Sequence, residues 1–245
     1  MRLLLDLGNT RLKWALAQPG GTISAMQALV PSSDSSCWRA LIDDLSIQPI
    51  HQIALSSVAG AGTQALREVL TRQLPDAPIL EAQSRSFCAG VTNGYRLPQT
   101  LGVDRFMALL GAFSMHANTQ VIAMLGTALT IDVLHPGGMH AGGLIAPGPS
   151  LMQTSLHFGT ANLPLTNGEA VALGKSTADA IASGCQRACA ALIEAVWHDF
   201  PGATLLLSGG AASAIVPLLS CPAKLVPKLV LQGLQRFADT AESGQ

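Results

Sequence analysis

Two segments of this chain share one pattern, an apolar run that enters a short turn containing glycine and threonine. They are residues 3–10 (LLLDLGNT) and residues 122–127 (IAMLGT). In each copy a second apolar run leaves the turn, at residues 12–17 and 129–134, and a glycine-rich turn (19–21 and 136–138) precedes a third run. Strand, turn, strand, turn, strand is the pattern of an antiparallel meander. The repeat therefore predicts a duplicated α/β chain whose two halves each begin with a meander.

The first turn carries a carboxylate in an unusual place, because Asp6 interrupts an otherwise apolar run of leucines. Asp, Gly and Asn are common turn residues, so an ordinary hairpin is one interpretation. A carboxylate within an apolar strand is costly unless it has a partner or a function, which favours a functional interpretation. Glycine lets backbone N–H groups approach phosphate oxygens, and a carboxylate suits Mg²⁺ or its water ligands. Two such turns predict a cleft that holds the phosphates of a nucleotide from both sides.

Composition narrows the class of protein. The chain has 245 residues, of which 49% are hydrophobic and 12% charged, so we expect one or two domains with a large core and a subunit interface. Its net charge of -1 and the lack of Lys or Arg clusters argue against nucleic acid or anionic lipid as a partner. No apolar run reaches the roughly 18 residues of a membrane span, and Asp6 interrupts any signal-peptide pattern, so we expect a cytoplasmic protein. The five scattered cysteines predict reduced thiols, with Cys185 and Cys189 as packing residues on a helix.

Periodicity and turn residues outline the remaining elements. A helix capped by Ser33 or Asp34 should run to about residue 45, a strand cover 52–58, and a helix cover 63–74. Further helices are expected from Pro98 to about His116, from Ser150, and from a cap at Ser176 or Thr177 to about 197, where 178, 181, 185, 188 and 192 share one face. The second meander spans about 120–146, and a strand at 205–207 ends in a glycine pair. A boundary near residue 118 divides the chain into domains 1–117 and 118–245.

Taken together, the motifs of this chain resemble those of the acetate and sugar kinase/Hsc70/actin superfamily, and within it the type III pantothenate kinase family. The motifs in order are residues 6–10 (DLGNT) with Lys13, 93–95 (NGY), 101–105 (LGVDR), 126–130 (GTALT), 142–143 with 147–148, and 176–181 (STADAI). The resemblance implies a duplicated actin-like, ribonuclease H-like ATPase fold with two similar mixed-sheet domains flanking a nucleotide cleft. It also implies ATP-dependent phosphorylation of pantothenate to 4'-phosphopantothenate, the first step of coenzyme A biosynthesis.

The resemblance implies a role for each matching residue. Asp104 corresponds to a general base for the pantothenate hydroxyl, and Arg105 beside it suits a bidentate contact to a carboxylate or phosphate. An acidic residue in the first turn of a helix is also favoured without any function, and a strand aromatic or a helix cap would explain Tyr95 or Thr177. The implied ATP-binding residues are Asp6, Leu7, Gly8, Asn9, Thr10, Arg11, Leu12, Lys13 and Thr127. The implied substrate-binding residues are Tyr95, Gly102, Val103, Asp104, Arg105 and Thr177, and no residue is assigned as a metal ligand.

One position departs from the family pattern. The resemblance implies ATP with Mg²⁺ and a monovalent cation, K⁺ or NH₄⁺, whose usual Asp ligand is replaced here by Met124, a poor ligand for a hard cation. Asp132 is the nearest other carboxylate in this half and is a candidate for the surroundings of Mg²⁺–ATP. The family also implies a homodimer in which Thr177 comes from the partner subunit. Two alternatives stay open, a non-catalytic ATP-binding regulatory protein and another small-molecule kinase of the superfamily.

Overall fold

The computed structural model describes residues 1–18, 20–32, 35–45, 49–115, 117–165 and 168–242, and these residues form two compact units. The first unit contains Met1–Met115, Gly137–Met139 and Lys228–Gln245, and the second contains His116–Pro136 and His140–Pro227. The last helix of the chain thus belongs to the first unit, although it falls within the predicted domain 118–245. Three predicted features, the cap at Ser33 or Asp34, the helix end at His116 and the start of the turn at Pro19, lie outside the described residues.

Twelve strands and seven α-helices make up the described part of the chain. The strands are β1 Arg2–Leu7, β2 Leu12–Ala17, β3 Gln27–Leu29, β4 Gln52–Ser57, β5 Ile79–Glu81, β6 Phe87–Cys88, β7 Val91–Thr92, β8 Gln120–Leu125, β9 Ala128–Leu134, β10 His140–Pro147, β11 Thr204–Ser208 and β12 Ala223–Leu225. The helices are α1 Arg39–Leu45, α2 Ala61–Gln73, α3 Val103–Phe113, α4 Pro149–Gly159, α5 Thr177–His198, α6 Ala212–Ile215 and α7 Leu229–Glu242, with 3₁₀ turns at Ser35–Trp38, Pro98–Thr100 and Val216–Leu218.

The first unit is built on a five-stranded mixed sheet in the order β3-β2-β1-β4-β5. The strands β1, β2 and β3 pair antiparallel as a meander, while β4 and β5 extend the sheet in parallel. Alternate residues of β1, such as Leu3 and Leu5, lie in one apolar cluster with Leu41 of α1 and Leu66 of α2. Arg2, whose side chain leaves β1 on the other side, forms an ion pair with Asp239 of α7, so α7 lies on the opposite face of the sheet. Period-two alternation thus sends the two sets of side chains to different helices.

Two glycines let α3 and α7 approach each other closely. A Cβ atom at Gly233 of α7 would lie 1.7 Å from the carbonyl oxygen of Met107, and one at Gly111 of α3 would lie 2.3 Å from that of Leu229. Any side chain at either position would collide with backbone, which cannot move aside as a flexible side chain can. This contact packs the last helix of the chain against the helix that carries Asp104.

The second unit repeats the architecture of the first. Its sheet has the order β10-β9-β8-β11-β12, in which β8, β9 and β10 form the antiparallel meander and β11 and β12 are parallel. Counted along each unit, the strand order is the same in both sheets. A core cluster on one face joins β8, β9 and β11 to α5 and α6. The predicted duplicated α/β fold with two mixed sheets is therefore confirmed.

Helix α5 has the predicted cap but a different buried face. Ser176 caps α5 as predicted, since its Oγ accepts the Asp179 N–H at 3.1 Å. The buried residues of α5 are Ala182, Ser183, Cys185, Cys189, Ala190 and Ile193, so Cys185 is the one member of the predicted face (178, 181, 185, 188 and 192) that is buried. Both cysteines pack in the interior as predicted, and burial, followed by the neighbouring Cys185, raises the pKa of Cys189 to about 11.

The helix predicted from Pro98 begins later than expected. Pro98–Thr100 forms a 3₁₀ turn, and Leu101 adopts an extended backbone with φ -68° and ψ 131° before α3 starts at Val103. Proline suits either kind of helix start, so the sequence alone did not separate the two. Within the described ranges, no helix is both long enough and apolar enough to cross a membrane.

Candidate active site

Asp6 lies near the end of β1, directly across the hairpin from Lys13 of β2. The turn between them is closed by the Gly8 N–H, which donates to the carbonyl oxygen of Arg11 at 3.0 Å. Asp6 is only 8% exposed. Burial raises its pKa from the usual 3.8 to about 6, the Lys13 charge opposes that rise, and the negative charge of Asp104 adds to it. The charges of Lys13 and Asp104 thus act on Asp6 in opposite directions within the first unit.

The predicted ATP-binding residues of this hairpin differ in whether their side chains are exposed or buried. Asn9, Thr10 and Arg11 are exposed at the turn. Leu7 and Leu12 are buried in the core beneath it, so only their backbone groups are available to a ligand. The buried pair anchors the turn, so the polar side chains and the backbone at Gly8 are the groups of this turn that solvent can reach.

Asp104 occupies the first turn of α3. Its Oδ1 accepts a hydrogen bond from the Arg105 N–H at 2.8 Å, which fixes the carboxylate beside the helix start. Gly102 is the residue before the helix, and a Cβ atom there would lie 2.8 Å from the same Oδ1. Glycine at this position thus leaves the carboxylate the space that it occupies. The half-buried Asp104 remains partly accessible to solvent.

Arg105 and Tyr95, both predicted to contact the substrate, contact each other. Arg105 is 4% exposed, and its Nη1 donates to the Tyr95 hydroxyl at 2.8 Å while its Cζ lies 5.5 Å from the centre of the Tyr95 ring. Asn93 holds this loop: its Oδ1 accepts the Tyr95 N–H at 3.0 Å, and its Nδ2 donates to the carbonyl oxygen of Pro98 at 3.1 Å. The sequence placed Asn93 in a motif but did not assign it this role.

The second unit contains the remaining predicted residues. Thr127 lies in the turn between β8 and β9, where the Gly126 N–H donates to Ala128, as Gly8 does in the first copy. Met124 pairs with Thr130 across this hairpin, as Asp6 pairs with Lys13 in the other. The two hairpins are thus paired in the same way, but the second has the shorter loop, and a thioether stands where the first has its carboxylate. Thr177 is exposed at the start of α5, where Ser176 provides the cap.

Asp132 does not fit the role considered for it. Its Oδ1 lies 2.9 Å from Nε2 of His140, and both side chains are buried between β9 and β10. A carboxylate with a buried partner has no opening to a metal–nucleotide complex, so we withdraw Asp132 as a candidate for the surroundings of Mg²⁺–ATP. The sequence showed no spacing that would have predicted its pairing with His140.

Comparison with known proteins identifies the family. The family model described as type III pantothenate kinase matches residues 2–199. The chain belongs to the type III pantothenate kinase family. Among curated members, the type III pantothenate kinase of Aromatoleum aromaticum is 40% identical over 238 residues, covering 96% of each chain. The corresponding protein of Burkholderia mallei is 37% identical over 263 residues, covering 98% of this chain and all of the relative.

Solved structures support the fold independently. The activator of 2-hydroxyisocaproyl-CoA dehydratase from Clostridium difficile, solved with bound ADPNP, matches with a TM-score of 0.57 at 12% identity. The match covers 99% of this chain and 96% of that one. At this identity the likeness concerns the fold alone. It agrees with the predicted actin-like ATPase architecture.

Membership of the type III pantothenate kinase family makes this chain a kinase, and kinases of this kind use ATP with Mg²⁺. The residues of the first hairpin fit that requirement. Asp6 offers a hard oxygen ligand, and the pKa of about 6 means that its carboxylate is largely ionised at neutral pH despite burial. Lys13 provides a positive charge across the hairpin, and the turn provides backbone N–H groups.

Proposed function

We propose that this protein transfers the γ-phosphoryl group of ATP to the 4'-hydroxyl of pantothenate, with Asp104 as the general base. The observation that carries the proposal is membership of the type III pantothenate kinase family, together with the start of α3, where the Arg105 N–H holds the partly accessible Asp104 carboxylate. Phosphoryl transfer depends on positioning and charge neutralisation more than on covalent chemistry. The hydroxyl oxygen attacks the γ-phosphorus, the bond to the β-phosphate oxygen breaks, and the hydroxyl proton passes to Asp104.

Binding of ATP and binding of pantothenate are assigned to different residues. Residues 6–13 and Thr127 bind ATP, with Lys13 and the turn contacting phosphate oxygens. Mg²⁺, when bound, neutralises phosphate charge, and Asp6 is positioned to contact the ion or its water ligands. Tyr95, the Gly102–Arg105 segment and Thr177 bind pantothenate. Arg105 suits the pantothenate carboxylate because its planar fork donates two parallel hydrogen bonds, and its contact with Tyr95 holds that fork in place.

The first prediction is that ADP release requires pantothenate. Purified protein with Mg²⁺–ATP should release ADP only when pantothenate is present, and the product should be 4'-phosphopantothenate. A coupled assay measures the nucleotide, and mass spectrometry measures the product. N-acetylmannosamine and other sugar acceptors serve as controls for another kinase of the superfamily. ADP release that is equal with and without pantothenate would contradict the proposal, and tight ATP binding without turnover would favour a regulatory protein.

A second prediction concerns the oligomer, which we propose is a homodimer. The second unit exposes many large apolar side chains within residues 144–173, including Phe158 at 79% exposure; the others are Leu144, Ile145, Leu151, Leu165, Val171 and Leu173. A surface of this kind favours cover by protein, and a second copy of this chain is the occupant we propose. In this arrangement Thr177 reaches the pantothenate site of the partner subunit.

Sedimentation equilibrium at micromolar concentration should give twice the chain mass of 25.3 kDa. Phe158→Ser should weaken the dimer, whereas Val30→Ser, which removes another exposed apolar side chain from the first unit, should not. A single species at 25.3 kDa for the unmodified protein would refute the dimer.

A third prediction follows from Met124. Since a thioether replaces the carboxylate that the family pattern uses for a monovalent cation, K⁺ has lost its strongest electrostatic attraction at this position. We expect activity in sodium or Tris buffer to remain a substantial fraction of that in potassium at equal ionic strength. Met124→Asp should increase the dependence on K⁺, and Met152→Asp, on α4, is the control for adding a charge. An absolute potassium requirement in the unmodified protein would show that another group binds the ion.

A further inference from the structure

A cavity of about 480 Å³ lies in the first unit, apart from the Asp6 and Asp104 group in sequence and in lining residues. It is formed by the β6–β7 hairpin and the last turns of α7, and its lining is Arg85, Phe87, Cys88, Ala89, Gly90, Arg236, Asp239 and Thr240. None of these residues belongs to the ATP-binding or pantothenate-binding groups. The cavity combines two guanidinium groups with an exposed aromatic ring, because Phe87 is 60% exposed.

The hairpin at the cavity is held in an uncommon conformation. Cys88 and Val91 pair at its end, so Ala89 and Gly90 form a two-residue turn with φ values of 48° and 89°. Positive φ at both positions is what a type I′ turn requires, and it is unfavourable for alanine. Arg236 of α7 secures the turn by donating from Nη2 to the carbonyl oxygen of Ala89 at 3.0 Å. The cavity wall is therefore fixed by a contact between distant parts of the chain.

Both arginines keep an uncompensated charge. The Cζ of Arg85 lies 5.1 Å from the centre of the Phe237 ring, and that of Arg236 lies 5.7 Å from the centre of the Phe113 ring. Stacking of this kind orients a guanidinium without neutralising it. Among the residues that the structure describes, neither arginine forms an ion pair with a carboxylate.

The remaining charged group of the cavity is Asp239, which forms an ion pair with Arg2. Arg2 Nη1 lies 2.5 Å from Oδ1 of Asp239, and Arg2 Nη2 lies 2.7 Å from Oε1 of Glu242, so one guanidinium is shared between two carboxylates of α7. Both arginines also act on the same thiol: burial raises the pKa of Cys88, and the charges of Arg85 and Arg236 oppose that rise. The two positive charges are therefore close to one point of the cavity. Together they outweigh the one carboxylate charge that Arg2 leaves unmatched and the partial negative charge at the end of α7, which amounts to about half an elementary charge.

We propose that this cavity binds a dianionic phosphate group, either as free phosphate or as part of a phosphomonoester. Two guanidiniums match the charge of the dianion, and their planar N–H donors match its tetrahedral oxygens. Phe87 provides a face on which the organic part of a phosphomonoester can stack. The site is independent of the proposed kinase reaction, so it can be tested without ATP or pantothenate.

Isothermal titration calorimetry with inorganic phosphate and with phenyl phosphate, at constant ionic strength, tests the proposal. Arg85→Gln should weaken binding of both probes at least tenfold, because it removes a charge-assisted contact. Arg72→Gln, at an exposed position on α2, should leave binding unchanged. If phenyl phosphate binds more tightly than inorganic phosphate, and Phe87→Ser removes that preference, the ligand is a phosphomonoester. If the two probes bind equally, the ligand is free phosphate.

Two results would overturn the site. One is binding that Arg85→Gln leaves unchanged. The other is binding that is lost in Lys13→Gln and retained in Arg85→Gln, because the anion would then occupy the β1–β2 turn. Arg85 is exposed, and its stacking on Phe237 is a surface contact, so the melting temperature of its variant without phosphate should stay close to that of the unmodified protein.

Discussion

Replacing Asp104 with asparagine should lower kcat by about 10²–10⁴-fold, because a well-placed general base contributes a factor of that size. Asparagine keeps the oxygen that accepts the Arg105 N–H, so the start of α3 should be preserved. ATP binding should therefore remain nearly unchanged, and the loss should appear in kcat and in kcat/KM for pantothenate alike. Steady-state kinetics together with direct nucleotide titration separate the two effects.

The same variant has a second expected effect, on Asp6. The charge of Asp104 contributes to the raised pKa of Asp6, so removing it should lower that pKa. Asp76→Asn, in an exposed turn, is the matched control and should leave turnover unaffected. If Asp104→Asn retains near-normal turnover, Asp104 is only a favourable acidic residue in the first turn of a helix.

Replacing Asp6 with asparagine should make the folded protein more stable above pH 6 by about 3 kcal/mol. The pKa of Asp6 is 3.8 when unperturbed and about 6 in the folded protein. At about 1.36 kcal/mol for each pKa step, keeping this buried carboxylate ionised costs about that much. The folded state binds more protons than the unfolded state between these two values. Stability of the unmodified protein therefore falls as pH rises through this window and changes no further above it through this group.

Urea unfolding of both proteins between pH 5 and pH 8 measures the difference. The gain from Asp6→Asn should be largest at pH 7–8 and smaller at pH 5, where much of Asp6 is already protonated. Asp76→Asn should show no such pH dependence. Activity should change in the opposite direction, with a weaker response to Mg²⁺, because the charge that costs stability is the one proposed to serve the metal–nucleotide complex. A gain that is absent at every pH, or an unaltered Mg²⁺ dependence, would count against this account.

Much of the fold was accessible from local patterns. The two meanders were predicted because hairpins depend on neighbouring residues, namely apolar runs separated by glycine-containing turns. The cap at Ser176 was predicted for the same reason, since a side chain that bonds the backbone three residues on is a local contact. The start of α3 was wrong by five residues because proline suits a 3₁₀ turn and an α-helix equally.

Contacts between distant residues were not accessible in this way. The sequence identified Asp132 as a carboxylate and proposed a ligand role for it, but the pairing of β9 with β10 brings His140 to it and buries both. Arg105 and Tyr95 were each named as substrate contacts, while their hydrogen bond to each other depends on the loop that Asn93 holds. The coupling of Asp6 to Asp104 likewise joins residues that are 98 positions apart in number.

The sequence by itself determined the duplication, the fold class and the family, because these depend on strand patterns and on motifs whose order along the chain is specific. It also determined the chemical difference at Met124, which is a matter of residue type alone. Only the tertiary structure decided that Asp6 has a raised pKa, that α7 returns to pack on α3, and that Arg85 and Arg236 share a cavity. Burial, close backbone approach and the summed field of several charges arise from residues far apart in the chain, and no local pattern records them.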